Sequence, residues 1–421
     1  MDIVEDALKK ILSFKFLGDG VMEENKLLIS KQLENKTRNQ GIDLLRIISM
    51  FMVLLQHILE KGVLDNVQDG TVKGEFFWVI AASSYCAVNC YALISGYVGI
   101  NAKHKYTNLI SLCLQLAFYA ILITGAEIII SMLNGTGISL KTIVLHILPS
   151  IKGGYYWYFS AYFCLFFFMP ILNYVINNIQ RVMLKRLAIF ILIIFCGWNM
   201  LMSNVSGIDF GFSFLWLAIL YALGGYLAKY KTLEKLSISK SFFGYFVCIV
   251  IAVLGKIAIY LLTTWIFNKP IANLVFMAYN SPTMVLAALF LLSAFSKMKI
   301  KKGFSRIISI IAPLTFGVYL IHCHPYIIGS LNGAFVWIAK KPIYWGVFYV
   351  FACALAIFAA CIILDWIRSL IFRLCRIKRF AGWIEKVIGV VIGWFCKLLH
   401  VSLNEEENIE QIDKKTEPKL E

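Results

Sequence analysis

Three ionisable side chains lie in the first long apolar segment, where lipid would normally exclude them. Asp43 and Arg46 stand near its start, and His57 follows Arg46 by eleven residues. An ionisable group at membrane depth costs about 2.5–3.5 kcal/mol on insertion scales, so it is by default a candidate functional residue. In an α-helix, Arg46 and His57 would lie roughly 20° apart around the axis and about 16 Å apart along it. One helical face would present a permanent cation near one membrane surface and a proton-accepting imidazole near the other.

The composition indicates what kind of element carries these residues. Of the 421 residues, 60% are hydrophobic and 15% are charged, whereas soluble proteins carry about 25% charged residues. Apolar runs long enough to cross a bilayer recur along most of the chain. The sequence predicts an all-α polytopic membrane protein with about ten transmembrane helices and both termini in the cytoplasm.

The ten predicted spans are residues 42–59, 76–100, 109–132, 156–176, 187–202, 212–227, 242–267, 282–295, 307–324 and 344–367. Lys and Arg residues concentrate in the loops after the second, fourth, sixth and eighth spans, and again after the tenth. Because basic residues mark cytoplasmic loops, this pattern places both termini inside. The same pattern explains the net charge of +16 by the orientation of the protein in the membrane and by contact with anionic membrane lipids. No nucleic-acid partner is predicted.

The chain divides into four predicted segments. Residues 1–40 are a cytoplasmic extension, 41–372 the membrane domain, 373–401 a basic amphipathic helix on the inner leaflet, and 402–421 a charged, disordered tail. Residues 383–399 could instead form an eleventh span, although the run is short and has lysines at both ends. The eleven cysteines stand singly, almost all in apolar runs, which favours reduced thiols over disulfides or a zinc site.

Four segments resemble the membrane-bound acyltransferase 3 family, which includes O-acetyltransferases of bacterial surface polysaccharides. Residues 42–46 with His57 match its opening signature of an Arg, ten intervening residues and a His. Residues 88–97 resemble its second-helix segment ending in Ser-Gly-aromatic, and residues 156–173 resemble its Trp-aromatic helix. Residues 316–322 resemble its late Tyr-Leu-Ile-His segment. The resemblance covers roughly residues 41–368.

This resemblance implies an integral-membrane O-acyltransferase of the bacterial cytoplasmic membrane. It would move acetyl from cytoplasmic acetyl-CoA to a hydroxyl of a cell-surface or lipid-linked polysaccharide. His57 would be the general base, or would itself carry the acyl group. Arg46 is too far from His57 to contact the same carbonyl, so it is assigned to the phosphate or pantetheine end of the donor, or to structuring the pore with Asp43. No bound cofactor and no metal are expected.

Further candidates follow from the matched segments. Those for substrate binding are Asp43, Ser95, Trp157, Tyr158, Asn173, Tyr319 and His322. Lys103 and Lys105 stand where many relatives carry an Arg-rich cluster, and they are assigned to the donor phosphates. His322 and His324 are two residues apart and do not share a helix face, which argues against a metal site.

Structural roles are the alternative for several of these residues. Asp43 and Arg46 could form only an i,i+3 ion pair that helps the first span insert, and His57 could be an interfacial histidine. Residues 155–158 could belong to an aromatic interface belt. The isolated charges in other spans are assigned to pairing or snorkelling, and these are Glu127, Lys256 and Asp365.

Two other functions fit the same composition. In a transporter or flippase of a glycan or lipid-linked intermediate, His57 would be a proton relay. A non-catalytic scaffold for glycan assembly would use the cytoplasmic tails. The residues leave open the acceptor glycan and its hydroxyl, the choice of acetyl, succinyl or another acyl group, the role of His57 as base or acyl carrier, and the oligomeric state.

Overall fold

The computed structural model of the protein describes residues 38–148, 155–198, 208–269 and 274–398. Within these ranges the chain forms helices and no strand. Seven helical segments are long and apolar enough to cross a membrane: Gln40–Asn66, Val72–Gly99, Tyr106–Leu133, Trp157–Asn178, Ile238–Phe267, Lys302–His322 and Ile343–Leu374. Two shorter apolar helices, Phe214–Lys229 and Pro282–Ser296, coincide with predicted spans. The predicted all-α polytopic class is confirmed, whereas the count of ten spans and the position of the termini stay predictions.

The α-helices are numbered here in chain order. They are α1 (Gln40–Ile58), α2 (Val72–Tyr85), α3 (Ala87–Gly99), α4 (Tyr106–Leu133), α5 (Leu140–Ile147), α6 (Trp157–Asn178), α7 (Arg181–Leu192), α8 (Phe214–Lys229), α9 (Ile238–Phe267), α10 (Pro282–Ser296), α11 (Lys302–Ile311), α12 (Thr315–His322), α13 (Pro325–Ser330), α14 (Val336–Ala339), α15 (Ile343–Leu374) and α16 (Ile377–Leu398).

Three predicted spans are interrupted. Cys86 separates α2 from α3 within the second span. The fifth begins as α7 and continues as a π-helical turn, Ile193–Trp198, and residues 199–202 lie outside the described ranges. The ninth is divided by a 3-10 turn, Ala312–Leu314, because Pro313 lacks the N–H that an α-helix interior requires.

The C-terminal end of α1 continues into a π-helical turn, Leu59–Val63, which is held by the loop before α14. The carbonyl oxygen of Lys61 accepts a hydrogen bond from the Gly333 amide at 2.8 Å. A Cβ atom on Gly62 would lie 2.9 Å from the backbone nitrogen of Val336, so only glycine permits this approach. The turn therefore has a fixed position next to His57.

Glycine residues bring α3 and α8 into direct backbone contact. A Cβ atom on Gly96 would lie 1.8 Å from the carbonyl oxygen of Tyr221, and one on Gly224 would lie 2.1 Å from that of Leu93. Small residues permit such close approach between membrane helices. The packing fixes α3, which carries the candidate substrate residue Ser95.

The isolated ionisable residues inside the other spans have polar partners. Lys256 pairs with Asp69 and Glu75, Asp365 pairs with Arg368, and Glu127 pairs with His146. Such pairing offsets the cost of placing charge inside a membrane protein. These contacts agree with the structural assignment of the three residues.

Helix α16 lies within the predicted inner-leaflet segment 373–401. Within the described ranges, α16 is not among the helices that are long and apolar enough to cross a membrane. Its Glu385 accepts a hydrogen bond from Thr107 near the start of α4. Its position on the membrane stays a prediction. The predicted extension 1–40, apart from residues 38–40, and the predicted tail 402–421 lie outside the described residues.

Candidate active site

Arg46 on α1 lines a cavity of about 310 Å³, called the Arg46 cavity below. Its Nη1 atom donates a hydrogen bond to Oδ1 of Asp43 at 2.8 Å, and Asp43 is buried. The carbonyl oxygen of Arg46 accepts a hydrogen bond from the Tyr91 hydroxyl on α3 at 2.7 Å. The ion pair and the packed helix hold a partly exposed guanidinium group at the cavity wall.

Most of the polar candidates from the first half of the chain line this cavity. The polar and basic lining residues besides Arg46 are Ser95, Lys103, His104, Lys105, Asn108, Tyr162, Asn173 and Tyr221. Asn173 is fixed by two hydrogen bonds: its Oδ1 accepts from the Tyr221 hydroxyl at 3.0 Å, and its Nδ2 donates to the Gly99 carbonyl at 3.3 Å. Residues from five helices and one loop thus face one space.

The Arg46 cavity is positively charged. Burial lowers the pKa of His104, in the loop between α3 and α4, below its usual value. The imidazole is therefore neutral at pH 7, and the charge comes from Arg46, Lys103 and Lys105. Cations around a polar cavity of this kind suit a phosphorylated ligand.

His57 lines a second cavity of about 340 Å³, called the His57 cavity below. Met50 and Val53, on the same face of α1, line it as well. The further polar and aromatic residues at its wall are Glu60, Lys61, Tyr91, Tyr155, Trp157, Tyr158, Phe212, Tyr279, Thr315, Phe316, Tyr319 and Cys323. An adjoining pocket of about 460 Å³ shares His57, Glu60, Trp157, Phe212 and Tyr279 with it.

A second histidine orients His57. Nδ1 of His322 lies 2.6 Å from the carbonyl oxygen of Val318, and Nε2 of His322 lies 3.1 Å from Nδ1 of His57. A carbonyl oxygen can only accept, so His322 carries its proton on Nδ1 and, when neutral, accepts on Nε2. His57 must then donate from Nδ1, which leaves the lone pair on its Nε2 available. This arrangement prepares His57 to accept a proton.

Aromatic side chains separate the two cavities. The rings of Tyr91 and Tyr158 lie 6.2 Å apart, and those of Tyr158 and Tyr162 are stacked at 6.4 Å. Tyr91 and Tyr158 line the His57 cavity, and Tyr162 lines the Arg46 cavity. The two cavities therefore lie along one face of α1, on either side of this tyrosine cluster.

The family model described as an acyltransferase domain matches residues 39–365. The chain belongs to the acyltransferase 3 family. No curated protein and no solved structure matches the chain. The matched range starts just before α1 and ends in α15, so the acyltransferase domain contains both cavities and leaves α16 outside. The protein is a multi-pass membrane acyltransferase.

The acyltransferase domain brings the predicted site residues together in two groups. Asp43, Arg46, Ser95, Lys103, Lys105 and Asn173 lie in or beside the Arg46 cavity. His57, Trp157, Tyr158 and Tyr319 line the His57 cavity, and His322 lies behind His57. The predicted substrate residues are therefore divided between two spaces, and the α1 residues of these spaces, Arg46 and His57, lie about 16 Å apart along the helix.

Glu60 was not predicted as a site residue, yet it lines both the His57 cavity and the adjoining pocket. Its Oε1 atom accepts hydrogen bonds from Gln56 Nε2 and from the Tyr85 hydroxyl, each at 2.9 Å. The spacing could have indicated this position, because an acidic residue three positions after His57 lies on the same helix face.

Two more residues belong to this site: Cys323, which was not predicted, and Tyr319, which was predicted to bind substrate. Cys323 lies with its Sγ atom 3.3 Å from Nε2 of His322. The Tyr319 hydroxyl is buried and meets no hydrogen-bond partner of normal geometry within the described ranges. A buried hydroxyl at a cavity wall is a donor that a bound ligand can use.

Proposed function

We propose that this acyltransferase moves an acetyl group from cytoplasmic acetyl-CoA to a hydroxyl of a cell-surface or lipid-linked polysaccharide in the bacterial cytoplasmic membrane. The observation that carries the proposal is the arrangement along α1. A basic cavity at Arg46 and an aromatic cavity at a histidine base lie on one helical face. A reaction between a phosphorylated donor and a glycan acceptor needs two such unlike binding spaces.

The Arg46 cavity is the proposed donor site. Arg46, Lys103 and Lys105 would bind the phosphates of acetyl-CoA, with Arg46 able to offer a bidentate contact and the lysines acting as point charges. The reacting thioester must reach His57, about 16 Å away along α1. The extended pantetheine arm of the donor would cover that distance by passing between Tyr91, Tyr158 and Tyr162.

At the His57 cavity the chain's own residues supply the acid–base chemistry. Nε2 of His57 takes the proton of the acceptor hydroxyl while the oxygen attacks the thioester carbonyl. The C–S bond then breaks, and the CoA sulfur leaves with the proton that His57 returns. His322 accepts the Nδ1 hydrogen of His57 throughout, so the imidazolium that forms between these steps stays oriented. The Tyr319 hydroxyl would donate to the carbonyl oxygen as negative charge develops on it.

The acceptor would bind where the His57 cavity meets the adjoining pocket. The rings of Trp157 and Tyr279 are stacked at 6.0 Å, and Phe212 lies 4.8 Å from each. Aromatic faces contact the apolar faces of sugar rings, and the carboxylate of Glu60 accepts hydrogen bonds from sugar hydroxyls. This combination favours a neutral, hydroxyl-rich acceptor.

Replacing Lys103 and Lys105 together by alanine is expected to raise the KM for acetyl-CoA about tenfold, because two phosphate-binding charges are lost. The effect should shrink as salt is added, since exposed charges are screened. The measurement is the initial rate of CoA release against acetyl-CoA concentration at low and high ionic strength.

The matched control is Lys299→Ala, which removes an exposed cation from another loop. An equal rise in KM in both variants would mean that the lysines act through general surface charge, and would contradict a specific donor site.

Glu60→Gln is expected to reduce transfer to glycan about ten- to hundredfold, the range for losing a hydrogen bond to a charged group. Slow hydrolysis of acetyl-CoA by water should persist, because His57 and the donor site are unchanged. Both rates can be followed in one membrane preparation, as labelled glycan and as released CoA. A parallel fall in hydrolysis and transfer would contradict the acceptor role.

The proposed function is tested with purified protein in liposomes that receive acetyl-CoA. Wild type is expected to release CoA by slow hydrolysis, and His57→Ala is not. The transporter alternative predicts no CoA release by either protein, together with glycan movement across the liposome membrane. Release by both proteins at the same rate would overturn the role of His57.

A further inference from the structure

Three metal-binding atoms converge at the wall of the His57 cavity. Nδ1 of His57, Nε2 of His322 and Sγ of Cys323 all lie within 4.8 Å of one another. Two of the separations are shorter: 3.1 Å between the two nitrogens and 3.3 Å between His322 Nε2 and the sulfur. His57 is far from His322 and Cys323 in sequence, so only the fold brings these three atoms together.

The two shorter separations are close to those around a tetrahedral zinc ion. With Zn–N near 2.0–2.1 Å and Zn–S near 2.3 Å, neighbouring ligands lie roughly 3.3 Å apart for two nitrogens and roughly 3.6 Å apart for nitrogen and sulfur. The two short separations therefore need to open by only a few tenths of an ångström, and the separation between His57 Nδ1 and the sulfur, at most 4.8 Å, must be brought to about 3.6 Å. Three protein ligands leave the fourth position open towards the cavity.

The surroundings favour a ligand role for both histidines. The Val318 carbonyl fixes the Nδ1 hydrogen of His322, so its Nε2 lone pair is directed away from the backbone and towards His57. A second hydrogen bond of this kind is the usual support for a metal-binding histidine. His57 and Cys323 both line the cavity, which provides a route for an ion. Glu60 and Lys61 at the same wall have opposite formal charges, so these two residues add no net formal charge to the cavity.

We propose that His57, His322 and Cys323 form a binding site for a thiophilic divalent ion, zinc above all, and that its occupation inhibits the enzyme. Binding releases the Cys323 thiol proton and moves the His57 proton from Nδ1 to Nε2, so the zinc–sulfur and zinc–nitrogen bonds form without any redox step. The Nε2 lone pair that would accept the hydroxyl proton is then no longer available. Metal binding itself does not depend on the proposed function, whereas the inhibition does.

Cobalt(II) is the spectroscopic probe of the site. The full-length protein in detergent is expected to bind one equivalent of Co²⁺ with a near-ultraviolet thiolate-to-cobalt band, which Zn²⁺ abolishes. Cys323→Ser should lack the band. The matched control Cys361→Ser removes another buried thiol and should keep it. Absence of the band in wild type, or its persistence in Cys323→Ser, would overturn the site.

A second variant keeps the thiol and removes one nitrogen. His57→Gln is expected to weaken Zn²⁺ binding at least about tenfold, as loss of metal-site groups does. Zinc should also raise the Tm of wild type more than that of His57→Gln, because a ligand stabilises the state that binds it. Equal affinity in both proteins would contradict His57 as a ligand even if Cys323→Ser fails to fold.

The inhibition is measured on CoA release. Zinc should stop release by wild type, and a chelator should restore it. Undiminished release with the cobalt site fully occupied by zinc would overturn the inhibitory role. If the protein bound cobalt but released no CoA under any condition, the metal site would be supported and the proposed function would be contradicted.

Discussion

His57→Ala is expected to slow acyl transfer by about 10²–10⁴-fold, the usual contribution of a general base. The KM for acetyl-CoA should change little, because the proposed donor site is in the other cavity, where Arg46 lies about 16 Å along α1 from His57. His57→Gln should be as slow as His57→Ala, since an amide can bond to His322 but cannot accept the hydroxyl proton. The measurement is the initial rate of CoA release in the presence of acceptor membranes.

The matched control for this prediction is His146→Gln, which removes a histidine that pairs with Glu127 outside both cavities. It should retain most of the wild-type rate. A His57→Ala enzyme within a few-fold of wild type would show that the proton is taken elsewhere.

Tyr319→Phe is expected to lower kcat by about 10²–10³-fold, the cost of losing one donor to a developing oxyanion. The stability of the protein should not fall, because the hydroxyl that is removed has no partner of normal geometry in the described ranges. Steady-state kinetics and the Tm together separate these two effects.

Tyr156→Phe is the comparison variant, because it removes a tyrosine hydroxyl that does have a hydrogen-bond partner. The Tyr156 hydroxyl donates a hydrogen bond to the Leu320 carbonyl, so its loss leaves a buried acceptor unpaired and should reduce stability by about 1–3 kcal/mol. If Tyr319→Phe reduced stability like Tyr156→Phe and left kcat unchanged, its role would be structural.

The sequence was sufficient for the features that depend on local periodicity. Arg46 and His57 were expected on one face of a first helix, and α1 runs unbroken from Gln40 to Ile58 with both residues at cavities along it. Helix geometry alone relates residues eleven positions apart. The family also followed from residues 42–57 and the three later segments, and the matched range confirms it.

The features that depend on tertiary packing could not be predicted in this way. The contact of His322 with His57, 265 positions away in sequence, has no local sequence signal. Glu60 was placed beyond the end of the first span, because the π-helical turn that continues α1 has no periodic signal. Cys323 was grouped with inert thiols, since only the fold brings its sulfur to the histidine pair. The break between α2 and α3 at Cys86 was also not predicted, because no Gly or Pro stands at this point of the sequence.

The most direct test of the account follows the acetyl group itself. Membranes with wild type or His57→Ala receive acetyl-CoA labelled on the acetyl carbon, and label is measured in extracted lipid-linked and surface glycan. We expect labelled glycan only with wild type, and its mass would identify the acceptor. Equal labelling with both proteins, or no labelling with either while a glycan crosses the membrane, would contradict acyl transfer by His57 and favour the transporter.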